Sequence, residues 1–311
     1  MGLSLSHKRI KRTCFNDWCE IDETYRARYD YKTQLYRDHP EDTVCYAAGS
    51  DEPCFEALYA LAEYLPRRYP KMFLKTAQGI QNLVTGDNWD LREGADTWST
   101  YHPLQIMGLL STEDWFVLQK SGTDVDSTTT PTSAQLGNTY RLTAGANCFP
   151  AGWKLRERIG HTISELHHNK VPYYAERLAL SMHRFFNRLR VDQPHMRFNY
   201  AIDISGELFH INSHHNLDVS TLEHPVRLDD LHLRVERQVL QRLPQTKAIA
   251  FSIRTYITPI TEVTKDKDVA RALRTNTRSY KPEVAVYKNK SLWEKVLEEH
   301  LDQVLGPSEE Y

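Results

Sequence analysis

Residues 248–260, AIAFSIRTYITPI, decide the fold. Isoleucine, phenylalanine, threonine and tyrosine crowd this run, and their period of two marks a β-strand. One face carries Ile249, Phe251, Ile253 and Ile257, and the other carries Ser252, Arg254 and Tyr256. Working outward, MRFNYAIDI (196–204) alternates in the same way, with Met196, Phe198 and Tyr200 opposing Arg197 and Asn199. TYRLTAGANCFP (139–150) reads as strand, turn and strand. Helical spacing governs FEALYALAEY (55–64), expected to stop at Leu65-Pro66 because proline cannot continue a helix. It also governs YAERLALSMHRFFNRLR (174–190), with Leu178, Met182, Phe185 and Leu189 on one stripe. A last helix is expected from a capping box at Ser291-Leu-Trp-Glu294 to about Leu305. LRVERQVLQRLP (233–244) packs four charges into a short segment and reads most simply as a solvated helix face. Helices and strands are mixed without a β-α-β rhythm, so the expected class is α+β, an antiparallel sheet flanked by helices.

At 311 residues the chain suffices for one large domain and can bury roughly 75% of its unfolded surface. Its 39 basic and 41 acidic residues leave a formal charge of -2, which argues against a dominant nucleic-acid or anionic-membrane surface. No window approaches the ~18 apolar residues of a membrane span, and MGLSLSHKRIKR has no signal-peptide core. The five cysteines, Cys14, Cys19, Cys45, Cys54 and Cys148, are odd in number and widely spaced. They read as reduced thiols of a cytoplasmic protein rather than a disulfide framework. The expected organisation is a polar, basic segment over 1–20, one domain over 21–305 and a tail over 306–311. A mobile loop, SGTDVDSTTTPTSAQLGN (121–138), interrupts the domain.

Nucleotide cradles of the G-x-G-x-x-G or G-x4-G-K-[ST] kind are missing, as are H-E-x-x-H and G-x-S-x-G. Any electrons for redox chemistry must therefore come from outside the chain. Histidine clusters twice. His161, His167 and His168 lie in GHTISELHHNKVP, where an imidazole could ligate a metal or haem iron with its second nitrogen fixed by a backbone carbonyl. His210, His214 and His215 lie in LFHINSHHN without a carboxylate or cysteine at zinc spacing, and read as a polar loop. Arg254 stands in an otherwise apolar strand, so it needs a carboxylate or an anionic ligand. Glu236 is one candidate partner, and a bound acid is another.

Several ordered blocks carry a resemblance. DWCEIDETY (17–25) gives a W-x-x-x-D-x-x-Y pattern. YLPRRYPKMF (64–73), TEDWFVL (112–118), YRLTAGANCFPAGWKLRERIG (140–160) and LHHNKVPYY (166–174) follow, then SMHRFFNRL (181–189), RFNY (197–200), LRVERQVLQRLP and FSIRTYITP. From about Trp18 to Trp293 the chain resembles the haem-dependent oxidative N-demethylase alpha-subunit family. The resemblance implies a PAS-like haem domain, with further helical segments at both ends. It also implies haem b as cofactor, and dioxygen-dependent removal of a methyl group from a small secondary amine. Primary amine and formaldehyde would be released, with electrons supplied by a separate flavin and iron–sulfur reductase. A non-catalytic PAS-like haem or gas sensor is the alternative.

Residue by residue, the family's I-H-x-P-V-P segment falls on 166–172. It selects His167 as the haem-iron ligand when counted forward from Gly160, and His168 when counted back from Val171-Pro172; His167 is taken as the ligand, with His168 as the alternative. Arg197 and Asn199 match its R-x-N; Glu236, Arg237 and Gln238 match its E-R-Q; Arg254 matches its strand arginine. On this reading Glu236, Arg237 and Arg254 are the catalytic candidates, and Arg197, Asn199, Gln238 and Tyr256 join the histidines in binding the cofactor. Whether these groups hold propionates or orient dioxygen and amine stays open. Lys170 replaces the first proline of P-V-P, and Tyr200 replaces a tryptophan usual after R-x-N, so the amine need not be dimethylamine. MGLSLS also fits the N-myristoylation pattern, although MGL resembles a segment internal to longer relatives.

Overall fold

The computed structural model describes residues 10–120, 140–168, 171–212 and 224–306. The 121–138 segment, His214, His215 and the myristoylation pattern lie outside those residues. Seven strands form one antiparallel sheet: β1 (Lys11–Arg12), β2 (Val44–Tyr46), β6 (Asp114–Lys120), β7 (Tyr140–Ala146), β8 (His195–Asp203), β9 (His232–Arg242) and β10 (Ile249–Pro259), in the order β1-β8-β9-β10-β6-β7-β2. A separate small sheet holds β3 (Phe73–Lys75), β4 (Gly79–Asn82) and β5 (Asn88–Asp90). In the large sheet the last strand, β10, sits in the middle and pairs with both β9 and β6. The class is α+β, as the alternating runs require.

LRVERQVLQRLP is a strand and not a helix face. It is β9, whose whole length pairs with β10, from Ile249↔Arg242 to Pro259↔His232. Its arginines gave a helical impression because both faces of a central strand are covered, so charge and apolarity do not separate cleanly along it. TYRLTAGANCFP supplies one strand only, since the chain leaves the sheet after Ala146. The helix over 55–64 spans Asp51–Arg68 and passes through Pro66. Pro66 lies in the last turn, where its missing N–H forfeits one bond, and Tyr69 N closes the end on the Leu65 carbonyl at 2.7 Å. The last helix, Lys290–Leu305, starts one residue early, from Asn289 in the left-handed region (φ 50), without a capping box at Ser291. The 174–190 helix is a π-helical turn, Tyr174–Leu178, followed by Ala179–Arg188. Phe186 and Leu189 are its buried anchors, and Leu178 is exposed.

Pairing fixes which residues share a face. Met196, Phe198 and Tyr200 of β8 lie with Val239, Arg237 and Val235 of β9, and the last two lie with Arg254 and Tyr256 of β10. This face is covered along its length. Trp18, Cys19 and the helices Tyr25–Asp38, Asp51–Arg68 and Pro103–Leu110 pack against Trp115, Val117, Val239 and Ala250. The helices Lys267–Arg278 and Lys290–Leu305 cover Tyr200, Ile202, Leu233 and Val235. Trp18 and Cys19 are 2% and 1% exposed, so the compact part of the chain begins before residue 21. The opposite face is covered at both ends and half-open between them: Leu155, Phe186 and Leu189 pack on Phe116, Leu118, Leu142, Leu240 and Ile249 at one end, and at the other Arg234 and Thr255 are buried, Arg234 beneath Phe149, Pro150 and Glu207.

Candidate functional site

On β10 the face that looked polar in sequence is the drier one. Ser252 and Arg254 are each 1% exposed, whereas Phe251 and Ile253 are only half-buried. The reason lies at the start of the chain. Arg254 donates through Nη2 to Asp22 Oδ2 at 2.7 Å and to Thr24 Oγ1 at 2.9 Å. Arg237 Nε lies 3.4 Å from Glu20 Oε2, and Tyr256 donates its hydroxyl to the same carboxylate oxygen at 3.0 Å. The W-x-x-x-D-x-x-Y motif is thus the counter-surface of this face. Trp18 and Tyr25 are its buried ends, and Asp22 is the carboxylate that the strand arginine requires. Glu236 is not that partner: it stands opposite Thr255, so it points to the other side of the sheet.

That other side gathers the remaining candidates. Asn199 faces Glu236 across the β8–β9 pair, and Arg197 faces Gln238. Asn199 Nδ2 and Gln238 Nε2 both donate to Glu236 Oε2, at 3.3 and 2.9 Å. Arg234, 2% exposed, donates to the carbonyls of Phe149, Pro150 and Glu207 at 2.5, 3.2 and 3.2 Å, and its Nε lies 3.9 Å from Glu236 Oε1. A cavity of about 150 Å3 opens here, along the part of the β8 edge that β1 leaves uncovered; Asn199, Arg234, Glu236, His210 and Tyr287 are among its walls. Burial holds the Arg197 guanidinium below its ordinary pKa, against the pull of Glu236. Burial, then the Glu236 charge, raises the Tyr287 phenol, opposed by Arg197 and Arg158. Sequence reasoning missed Tyr287 and Arg158. Arg158 lies in the 140–160 block without a role given to it there, and only the return of the Pro282–Tyr287 helix to the sheet edge brings Tyr287 in.

Next to this polar group, the same face turns apolar. Phe116 lies between Phe251 and Trp153, with ring centroids 5.7 and 5.9 Å apart. Ile253, Ile159, Met182 and Phe185 are half-buried around them. Beside this shelf stands the helix Ile163–His167. Its approach is fixed because Leu142 of β7 exchanges backbone bonds with the segment before it: Gly160 N to Leu142 O at 2.7 Å, and Leu142 N to His161 O at 3.0 Å. The start is fixed by a capping box, in which Thr162 Oγ1 accepts from Glu165 N and Glu165 Oε2 accepts from Thr162 N. This T-x-x-E signature, which marks the helix start, was passed over in the sequence reading. Within this helix the two histidines separate. His168 is exposed at the C-cap, while His167 is half-buried, stacked on Tyr174 at 5.3 Å, with Nδ1 2.7 Å from the Ile163 carbonyl.

Because a carbonyl can only accept, Nδ1 carries the proton and the imidazole lone pair sits on Nε2. That is the arrangement of an iron-ligating histidine whose second nitrogen is held by the backbone. A half-buried aromatic shelf and a polar strip containing the half-buried Arg197, whose Nε has no hydrogen-bond partner among the described residues, suit an apolar macrocycle with carboxylate arms, so these residues fit a haem. The 150 Å3 cavity beside them does not, being well below the ~300–1,000 Å3 of cofactor sites.

The family model described as haem-dependent oxidative N-demethylase, alpha subunit-like, matches residues 9–298, and the chain belongs to that family. Among the described residues, no helix is long and apolar enough to cross a membrane.

Proposed function

We propose that this chain is a haem b-dependent oxidative N-demethylase acting on a small amine. The observation that carries the reading is the pose of His167: Nδ1 pinned to the Ile163 carbonyl, beside a half-open sheet face that carries Glu236, Asn199 and Gln238. Haem b would be held by His167, with Phe116, Phe251, Ile253 and Trp153 as apolar wall. Once bound, it supplies the iron chemistry that activates dioxygen. The overall change balances as R–NH–CH3 plus O2, two electrons and two protons, giving R–NH2, formaldehyde and water. The electrons come from a separate flavin and iron–sulfur reductase, since the chain carries no nucleotide motif of its own.

The chain's own groups divide the remaining work. Glu236, steadied by Asn199 and Gln238, is the negative charge that receives the substrate ammonium, and it can accept the proton the amine must lose before oxidation. Tyr287 keeps its proton at neutral pH and serves as a neutral donor at the cavity wall. Arg237, Arg254 and Tyr256 take no part in this reading, because their functional groups hold residues 20–24 on the other face.

The test is the haem content and Soret spectrum of protein produced with ample haem. His167→Ala should lose haem or change the spectrum of both oxidation states, while His168→Ala should match the parent. The reverse pattern would move the ligand to His168, and a parent protein without haem would sink the proposal. A haem spectrum blind to every amine would favour the gas-sensor reading.

A further inference from the structure

Among the described residues, one buried donor at the Glu236 cavity is unspent. Arg234, 2% exposed, is clamped by its terminal nitrogens: Nη1 donates to the Glu207 carbonyl, and Nη2 to those of Phe149 and Pro150. Its Nε–H has no hydrogen-bond partner. Glu236 Oε1 lies 3.9 Å from that nitrogen, an ion-pair contact too long for a hydrogen bond. On the carboxylate, both amide bonds fall on Oε2, so Oε1 keeps its lone pairs. A donor and an acceptor thus stand side by side, and both residues line the same cavity of about 150 Å3. Leaving a buried N–H unmet is costly, and a ligand that brings an acceptor to that point recovers the loss.

We propose that the substrate amine carries a hydroxyl on the second carbon from nitrogen, with Glu236 Oε1 taking the ammonium and Arg234 Nε the hydroxyl oxygen. The substrate class is then an N-methyl-2-aminoalcohol rather than a bare dialkylamine. This rests on the demethylase reading for the reaction, but not for the binding. A carboxylate is a poorer match for Arg234. Arginine grips carboxylates with two parallel N–H groups, and here three carbonyls hold the terminal nitrogens, so a single N–H remains for a single oxygen. The Arg234 charge is also answered, since it stands between Glu236 and Asp203, which line the cavity with it. Lys288, the other cation of the lining, reaches the strand edge, where Nζ donates to the Tyr200 carbonyl at 2.7 Å. Position along β9 sets the direction of the ligand. Leu240, Gln238, Glu236 and Arg234 share one face, and Leu240 packs with the aromatic shelf, so Glu236 stands between the shelf and Arg234. A ligand bridging the two turns its hydroxyl away from the shelf and its N-methyl end towards it. The 3.9 Å between Nε and Oε1 matches the span of an N–C–C–O unit. A cavity of about 150 Å3 corresponds to roughly five waters at ~30 Å3 each, which suits a molecule such as N-methylethanolamine.

The probes are N-methylethanolamine and N-methylpropylamine, which differ only by a hydroxyl in place of a methyl group and carry the same charge. In the first measurement the thermal midpoint of the protein as purified is followed against the concentration of each, which needs no iron. N-methylethanolamine should bind at least about tenfold more tightly. In the second, haem-loaded protein is titrated with the same pair while the Soret band is followed, and the same preference should hold. Arg234→Lys, which keeps the charge but not the Nε–H, should cut the preference to within about threefold. Glu236→Gln should weaken both amines together and leave their ratio unchanged. Equal binding of the two amines to the parent protein overturns the subsite, gives the Nε–H to a bridging water, and leaves the demethylase reading standing. That comparison needs no variant, so it decides the matter whether or not Arg234→Lys folds. A full preference surviving in folded Arg234→Lys also overturns the proposal, by placing the hydroxyl elsewhere. Hydroxyl-dependent stabilisation of a protein that takes up no haem would keep the subsite and remove the demethylase.

Discussion

The two faces of the β8–β9–β10 strip carry the same residue types and use them in opposite ways. On the N-terminal face, Arg254 meets Asp22 and Arg237 meets Glu20. On the other face, Glu236 is held by two amides and lies 3.9 Å from Arg234, and Arg197 feels the Glu236 charge while its Nε has no hydrogen-bond partner among the described residues. Adjacent residues in one strand, Glu236 and Arg237, thus fall into different chemistries because the side chains of a strand alternate. Charges that are spent on one another build a core.

The largest break in this contrast should come from Arg254→Ala. It strands Asp22 and removes a side chain that is 1% exposed, so urea unfolding should show a loss of about 3–5 kcal/mol. Arg197→Ala, one face away, should change stability by no more than about 1 kcal/mol in the same assay, because no ion pair is broken. A comparable loss in both variants would mean that the open face is structural too.

Acid should weaken the packed side first. His102 caps the helix Pro103–Leu110 by accepting from Leu104 N at 3.2 Å, and burial lowers its pKa to about 4. A group whose folded pKa is depressed contributes fully above its unfolded value and loses that contribution as pH falls through the folded one. For His102 the window runs from about 6.5 down to 4, and up to about 3 kcal/mol is at stake. Asp22 adds a second acid-labile contact lower down. Its pKa stays below 3.8 although burial opposes this, because Thr24 and Arg254 favour the charged form, so its share goes only below that pH. His102→Asn, which keeps an N-cap acceptor, should flatten the stability profile between pH 6.5 and 4. An unchanged slope would place the sensitive group elsewhere.

Glu236→Gln should have the smallest effect on the fold. The amide can keep an acceptor for Asn199 and Gln238, so the thermal midpoint should stay within a degree or two, corresponding to roughly 0.5 kcal/mol. Amine binding to the haem-loaded protein, read from the Soret shift, should weaken at least about tenfold, since a charge-assisted contact is lost. A fall in stability without a change in amine binding would return Glu236 to the scaffold.

Much of this was legible before any coordinates. Period-two runs gave β8 and β10 with the correct facing of Arg197 and Asn199 against Phe198 and Tyr200. The need for an anion at Arg254 was also legible, but its partner was not. Asp22 lies 232 positions away, and Glu236, closer in sequence, alternates to the wrong face. The choice between His167 and His168 could not be made by counting from either end. One turn of helix, capped by Thr162 and Glu165, turns one imidazole onto the Ile163 carbonyl and leaves the other in solvent.

What the sequence determined by itself was local and periodic: the α+β class, the three strands β7, β8 and β10, the histidine pair and a set of polar residues too costly to bury unpaired. What the tertiary structure decided was which of those residues face each other. β9 looked helical because a strand covered on both faces loses the alternation that identifies it. Tyr287 carried no signal at all, since its place at the site depends on a helix returning to an uncovered strand edge. Periodicity is a property of a segment, while pairing is a property of register and packing between segments, and a one-residue change in register would exchange the two faces entirely.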